Sequence, residues 1–534
     1  MPVLLFGRIQ QQQSVKNGRN IRYTTRWQSN EMCSANAYSV PSNSLTHKLN
    51  LIIFLIINGL AIIPLNIYVP ALKCDDQDYW CKRAELLSTE KSDSLGGNLS
   101  LNPEEHLANE LLVNLKTNEI DEAFEDQTKF YPSKNFMEVR NNIEKSKVFK
   151  IIKMMPKGAV LHTHDLALVS EEWIYNNVTY RDNLYIYLRN NKTIVNDINL
   201  RVRRELSMIT ENPDIVYSDN NYAWIKFLRI HTLLQSLLTY RPVFQDHFYQ
   251  ALQELYDDNV LYLEFRSTLP TLYELNGTQY KMMDVLRIYN EVAERFKNDH
   301  PDFIGAKVIF SPINIINTTS SSKIYEYINN TIEMKNKFAD FFAGFDLVGH
   351  ENRREPLKKF VKQLTQVTHQ IKFFFHAGET NWYGFNSDEN LLDAVLLNTT
   401  RIGHGSAILK HPEILKLARE KNIPIEVCPI SNQVLKLVTD LRNHPAGILF
   451  AENYPVVVSN DDVGLWGSKG LSYDFYEAFM GIMSRNADIK PLKQLAINSI
   501  IYSAMNTDQK QKAYGIWSQK WIEFIDKVNN LKYL

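Results

Sequence analysis

The sequence predicts an α/β protein: a (β/α)8 TIM barrel preceded by a helical N-terminal segment and carrying a small subdomain inserted after its first strand. After Pro156, eight short apolar runs alternate with stretches long enough to hold helices. Near-continuous apolar strands of this kind belong to a parallel sheet covered on both faces. Several of the runs end in ionisable residues, where a barrel gathers its chemistry. With 534 residues, 44% hydrophobic and 22% charged, the chain has material for one large barrel with additions. A formal charge of −1 provides no basic field, so no nucleic acid polymer or acidic membrane is expected as partner.

Residues 1–48 are rich in Gln, Asn, Ser and Arg, with Glu31 their sole acidic residue. They read as an N-terminal extension. Either translation begins at Met32 and the preceding part is a gene-model artefact, or the stretch is a transit peptide, which would leave the next segment unexplained. That segment, 49–73, contains "LIIFLIINGLAII" (51–63), an apolar run of signal-peptide length ended by Pro64. A signal anchor is the alternative, against which Asn58, Pro64 and Asn66 count. Cys74 and Cys81 then form either a small disulfide loop or a pair of free thiols. Seven Asn-X-Ser/Thr sequons, at Asn98, Asn177, Asn191, Asn276, Asn317, Asn329 and Asn398, are candidate glycosylation acceptors. The protein is expected to be secreted.

Residues 74–150 are helical in pattern. "NPEEHLANELLVNLKTNEIDEAF" (102–124) repeats apolar residues every three or four positions behind an Asn-Pro start, and "FMEVRNNIEKSKVFKIIKMM" (136–155) reads as a second amphipathic helix. The barrel is assigned to 151–534. Its strands are expected at "AVLHTH" (159–164), "VLYLEFR" (260–266), "IGAKVIF" (304–310), "FAGFDLVG" (342–349), "KFFFHAGE" (372–379), "TRIGHG" (400–405), "IPIEVCPIS" (423–431) and "YPVVVSNDD" (454–462). About 95 residues separate the first two runs, too many for one crossover, and the polar stretch of about 176–216 reads as the insertion.

Strand one ends in His162, His164 and Asp165, strand four in Gly349-His350-Glu351, strand five in His376 and Glu379, strand six in His404, and strand eight in Asp461-Asp462. Side chains two apart on a strand share a face, so His162 and His164 point into one space. Three histidines and a carboxylate can hold Zn2+ with a position left for water, and His162, His164, His376 and Asp461 are the expected ligands. Zinc lowers the pKa of its water toward 7. Glu379 is placed to move a proton beside the metal, and His404 to steady the attacking oxygen. Any one of these is an ordinary strand-end residue; six together at the same end of one barrel are not.

"MPKGAVLHTHD", "HAGET", "TRIGHG", "CPISNQVLKLV" and "SNDD" resemble the adenosine deaminase branch of the metal-dependent hydrolases. "LGGNLSLNPEEHLANELL", "YDDNVLYLEFR", "AGFDLVGHE" and "GLSYDFYEAFMGI" resemble its secreted members, the adenosine deaminase-related growth factors or extracellular adenosine deaminases, from roughly residue 75 to 530. The resemblance implies hydrolysis of adenosine to inosine and ammonia, and of 2′-deoxyadenosine to the corresponding deoxyinosine, with one Zn2+ per subunit. It implies that Glu379 protonates N1 of the purine, that Asp462 contacts N7 and the Gly349 backbone N3, and that Asp165 and Trp224 stand where the secreted branch has ribose-side or pocket residues. It also implies a homodimer through the N-terminal helices, a cell-surface receptor or glycosaminoglycan engaged by the insertion, and a growth-factor role.

This chain departs from the family pattern at "SPINII" (311–316), where Ser311–Asn314 offers no basic residue, and at Val463, where proline commonly follows the paired aspartates. The insertion has no cysteine pair, since no Cys lies between 81 and 428. Other readings are deamination of AMP or another aminopurine by the same residues, or a weakly active growth-factor-like ligand; the intact ligand set argues against the latter. Cytidine-deaminase chemistry lacks its PCxxC element.

Overall fold

Each of the eight apolar runs contributes to one barrel, seen in a computed structural model that describes residues 78–181 and 202–531. The strands are β1 (Gly158–Val160), β2 (Val260–Ser267), β3 (Gly305–Phe310), β4 (Phe342–Phe345), β5 (His376–Ala377), β6 (Ile402–His404), β7 (Ile425–Val427) and β8 (Val456–Val458). Parallel pairing runs from β1 through β4 and from β5 through β8. Single parallel bridges, Phe345 with Phe373 and Thr163 with Asp461, join the two halves into a ring. All eight residues of β2 are buried, as expected where helices cover the outside and side chains fill the inside. A two-stranded antiparallel ribbon, Leu272–Tyr273 with Gln279–Tyr280, lies outside the ring.

The N-terminal segment forms α1 (Tyr79–Asp93), α2 (Pro103–Glu125), α3 (Phe136–Ile143) and α4 (Lys147–Met154). Asn102 and Glu105 close a capping box at the start of α2, which explains why the helix begins at Asn-Pro. The single helix expected over 136–155 is instead two. Ser146 caps α4 by accepting from the Phe149 amide, while the Glu119 carboxylate accepts from the Lys147 and Val148 amides and the Ser146 hydroxyl. A second set of helix-start hydrogen bonds is thereby satisfied in mid-pattern, and the apolar periodicity alone does not register it.

Crossing the chain after β1 is α5 (Asn220–Leu238); the last two helices are α6 (Ile489–Ile501) and α7 (Thr507–Asn529). Glu105 of α2 accepts from Trp521 of α7 and pairs with Lys493 of α6, tying the N-terminal helices to the barrel's last ones. The described residues belong to one unit, Asp75–Leu534.

The apolar run 51–63, Cys74, the Asn191 sequon and the middle of the insertion (182–201) lie outside the described residues. Cys81 is disulfide-bonded, whereas Cys428 is a buried free thiol. The six sequon asparagines that are described are all exposed. Among the described residues no helix is long and apolar enough to cross a membrane.

Candidate metal and purine site

The C-terminal ends of β1, β5, β6 and β8 bring His162, His164, His376, His404 and Asp461 together. Candidate ligand atoms of His162, His376 and His404, and of His162, His164 and Asp461, lie within 4.8 Å of one another. His162 Nδ1 is 2.6 Å from Glu426 Oε2, and His376 Nδ1 is 2.6 Å from Asp346 Oδ2. Burial opposes charge on both carboxyls, yet Arg266 and Arg401 hold Glu426, and His376 and Arg266 hold Asp346, well below the usual carboxylate range. An ionised carboxylate only accepts, so each Nδ1 carries hydrogen and each Nε2 turns toward the common centre.

Arg266 bridges the two anchors, its Nε 2.8 Å from Asp346 Oδ2 and its Nη2 2.8 Å from Glu426 Oε2. Arg401 joins Glu426 to Glu264 at 2.5 and 2.7 Å. These five charged side chains are fully buried, and each charge is paired.

The donor set fits a cation. His162 Nε2 and Asp461 Oδ1 are buried, lack a hydrogen-bond partner and lie 3.5 Å apart; His164 Nε2 is 3.3 Å from the same oxygen. Burial keeps His164 well below its usual pKa. Burial and Arg266 also oppose charge on His162, but the Asp461 and Glu426 carboxylates on either side of the ring prevail and raise it, so proton and metal compete for Nε2. Asp461 Oδ2 accepts from Ser431 Oγ at 2.6 Å. His404 and Asp461 both adopt left-handed backbone, φ 62° and 54°. Such residues cost about 1–3 kcal/mol each and persist where the surroundings fix them, commonly at functional sites.

Glu379 is buried beside this cluster, with Oε1 3.8 Å from His404 Nε2. Burial, with Asp461 and Glu351 adding to it, pushes the Glu379 carboxyl well above its usual range. The loop bearing it is pinned by Glu351, which accepts from the Gly378 and Glu379 amides at 3.1 and 2.6 Å. Gly378 has φ +74°, and a Cβ there would meet Leu391 Cδ1 at 2.7 Å, so the turn into Glu379 needs glycine.

The residues expected to contact the substrate follow β8, β4 and β1, or lie on α5. Asp462 is pushed up to about 7 by burial and by Asp461, and its Oδ1 lies 3.1 Å from His231 Nε2. Gly349 has φ +128°, and a Cβ would stand 3.0 Å from the Asn314 carbonyl, so the divergent Ser311–Asn314 segment packs directly on this turn. Asn314 donates to the Glu355 carbonyl at 2.7 Å. Asp165 is buried and accepts from the Tyr289 hydroxyl at 2.9 Å. Trp224 stacks on His350 with ring centroids 4.6 Å apart and planes at 6°. Asn220, Trp224, Phe227 and His231 lie along one face of α5, which runs from His350 to Asp462.

Glu426, Arg266, Asp346, Arg401 and His231 support the site although the sequence assigns them no role, and Glu351, expected at the end of strand four, holds the Glu379 loop. The first four stand inside or at the end of apolar strand runs, where a lone charge is itself a signal. His231 sits in a helical stretch about 70 residues beyond His162, and nothing local marks it.

The chain matches the family described as Adenosine deaminase over residues 203–515 and that described as Adenosine/AMP deaminase N-terminal over 68–152. It is 42% identical over 479 residues to human Adenosine deaminase 2, covering 84% of this chain and 93% of the relative. It is 41% identical over 471 residues to an Aedes albopictus Adenosine deaminase, covering 83% and 88%. Among solved structures, an Arabidopsis N6-mAMP deaminase superposes with TM-score 0.53 at 17% identity over 69% of this chain and 99% of that one. A Burkholderia ambifaria amidohydrolase with bound Zn gives 0.51 at 21% identity over 71% and 94%.

Proposed function

The chain belongs to the adenosine deaminase family and is a deaminase hydrolase, and we propose that it is a secreted, zinc-dependent enzyme turning adenosine and 2′-deoxyadenosine into inosine or deoxyinosine and ammonia. The observation that carries this reading is the orientation of His162 and His376. Both are anchored at Nδ1 on carboxylates, so both Nε2 atoms face one buried point bordered by Asp461, Glu379 and His404.

His162, His164, His376 and Asp461 would hold the zinc, which when bound supplies an activated water. Glu379, kept protonated by its burial, hands its proton to purine N1 as the water oxygen adds to C6. His404 Nε2 faces Glu379 and Asp461 and steadies the incoming oxygen. Of the two protons of the water, one restores Glu379 and the other passes to the 6-amino group, so ammonia leaves C6 and the 6-oxo product remains. Asp462 and the Gly349 backbone orient the ring through N7 and N3, while Asp165 and Trp224 border the ribose side.

Six exposed sequon asparagines and the disulfide at Cys81 support passage through an oxidising compartment. The exposed Tyr79, Trp80 and Leu86 of α1, at 67%, 72% and 67%, support a homodimer through the N-terminal helices. Engagement of a receptor or glycosaminoglycan by the insertion, and growth-factor activity through removal of extracellular adenosine, rest on the resemblance alone.

The test is the fall in adenosine ultraviolet absorbance with purified secreted protein, chelated protein and chelated protein given back zinc, run beside 2′-deoxyadenosine and AMP. Turnover of the nucleosides that chelation abolishes and zinc restores supports the reading. Preference for AMP, or turnover indifferent to chelation, overturns it.

A further inference from the structure

Behind His404 stands a chain of polar groups with no place in the mechanism above. The Ala446 amide donates to His444 Nδ1 at 3.0 Å. A backbone N–H can only donate, so His444 Nδ1 holds a lone pair and its hydrogen is on Nε2. That Nε2 lies 2.9 Å from Asn432 Oδ1, and the Asn432 amide nitrogen lies 3.3 Å from His404 Nδ1. Each donor is therefore assigned in turn: Ala446 to His444, His444 to Asn432, Asn432 to His404. All three side chains are buried, so water does not scramble the order. Burial holds His444 down to about 3, so the ring is neutral and can accept as well as donate.

We propose that His444, acting through Asn432, is a positioning residue that fixes His404 as the tautomer with hydrogen on Nε2. His404 is thereby set opposite to His162 and His376, whose hydrogens are on Nδ1. His404 Nε2 lies 3.8 Å from Glu379 Oε1 and 3.9 Å from Asp461 Oδ2, so its hydrogen enters the space where the attacking oxygen must sit. With the proton on the other nitrogen, a lone pair would face two carboxyls, and the donor would be lost. The same device separates duties among four clustered histidines. His404 lies as close to His162 and His376 as a ligand would, yet presents a hydrogen where a metal needs a lone pair.

The inference rests on the deaminase reading for its catalytic consequence, but the tautomer is measurable without turnover. In zinc-loaded protein labelled with 15N-histidine, the His404 signals are those lost in His404→Gln. Wild type should show a pyridine-like Nδ1 and a protonated Nε2. Asn432→Asp places a carboxylate, which only accepts, against Nδ1 and should move the hydrogen there. His444→Met leaves Asn432 free to turn its oxygen toward His404, while His444→Gln retains a donor for Asn432. Loss of one donor to a developing oxyanion lowers kcat by roughly a hundredfold or more. That fall is expected in Asn432→Asp, with KM within about twofold; His444→Met should be intermediate and His444→Gln close to wild type.

A protonated Nδ1 on His404 in the wild type, or His444→Met and Asn432→Asp matching wild type in both spectrum and kcat, overturns the proposal. Should a variant fail to fold, the wild-type spectrum alone decides it. A wild type with the stated tautomer but no adenosine turnover would refute the assigned reaction and leave the relay standing.

Discussion

Replacing Glu426 with Gln removes one negative charge from the buried network while keeping its shape. Glu426 Oε2 faces His162 Nδ1 at 2.6 Å and Arg266 Nη2 at 2.8 Å, and Oε1 accepts from Arg401 Nε at 2.5 Å. Glutamine has one oxygen and one NH2 group, so in either orientation a donor meets a donor. With its oxygen toward His162 the amide opposes Arg401; reversed, it opposes Arg266 and offers hydrogen to His162 Nδ1. Breaking a buried pair costs about 3–5 kcal/mol. Here Arg266 keeps Asp346 at 2.8 Å and Arg401 keeps Glu264 at 2.7 Å, so the lower end applies, about 3 kcal/mol. The His162 anchor is weakened too, and disturbing such a partner behind a metal ligand typically lowers affinity ten- to a hundredfold. The expected result is a lower thermal midpoint in chelator and a zinc affinity reduced by roughly tenfold or more in competition titration. Lost stability with unchanged zinc affinity would refute the argument that Glu426 orients His162, leaving it a structural countercharge.

Glu379→Gln should fold and bind zinc as the wild type does while kcat falls about 10²- to 10⁴-fold, the range for a missing general acid, read by single-turnover assay. His231→Leu removes the partner of Asp462 Oδ1. Losing a hydrogen bond to a charged group costs about 1.5–3 kcal/mol, so kcat/KM for adenosine should fall at least tenfold while inhibition by 7-deazaadenosine, which has no N7, stays constant. Chelation should lower the thermal midpoint, and zinc should restore it in proportion to the logarithm of its free concentration. Lys116 donates to the Ser484 carbonyl at 2.8 Å, and burial pushes its ammonium down to about 7. Between that value and the unfolded value near 10.5 the unfolded chain binds the extra proton, so stability rises with pH across the window, by at most about 1.4 kcal/mol per pH unit. Lys116→Met should flatten that slope from pH 7.5 to 9.5 in urea titrations relative to wild type.

The barrel was legible because its strands are buried on both faces and so read as apolar runs, and because ionisable residues end them. His162, His164, His376, Glu379, His404 and Asp461 could be picked out from that placement alone, and the structure brings them to one point. Helix breaks were less legible: the apolar periodicity runs through 136–155, and what divides it is a hydrogen-bonding partner, Glu119, in another helix. The supporting shell was hidden for a related reason. Glu426 in "IPIEVCP" and Arg266 at the end of "VLYLEFR" look like faults in apolar strands until each is seen to pair with the other across the barrel. A strand interior tolerates a charge only if its partner is present, so each such residue predicts another somewhere else in the chain. Sequence periodicity carries no information on which strand supplies that partner, because the pairing is between β2 and β7, about 160 residues apart. The anomaly is therefore local and its explanation is not. A charged residue within an apolar run of a predicted barrel is better treated as an anchor for the strand-end histidines than as noise, and the Asp346–Arg266–Glu426 bridge between His376 and His162 shows why.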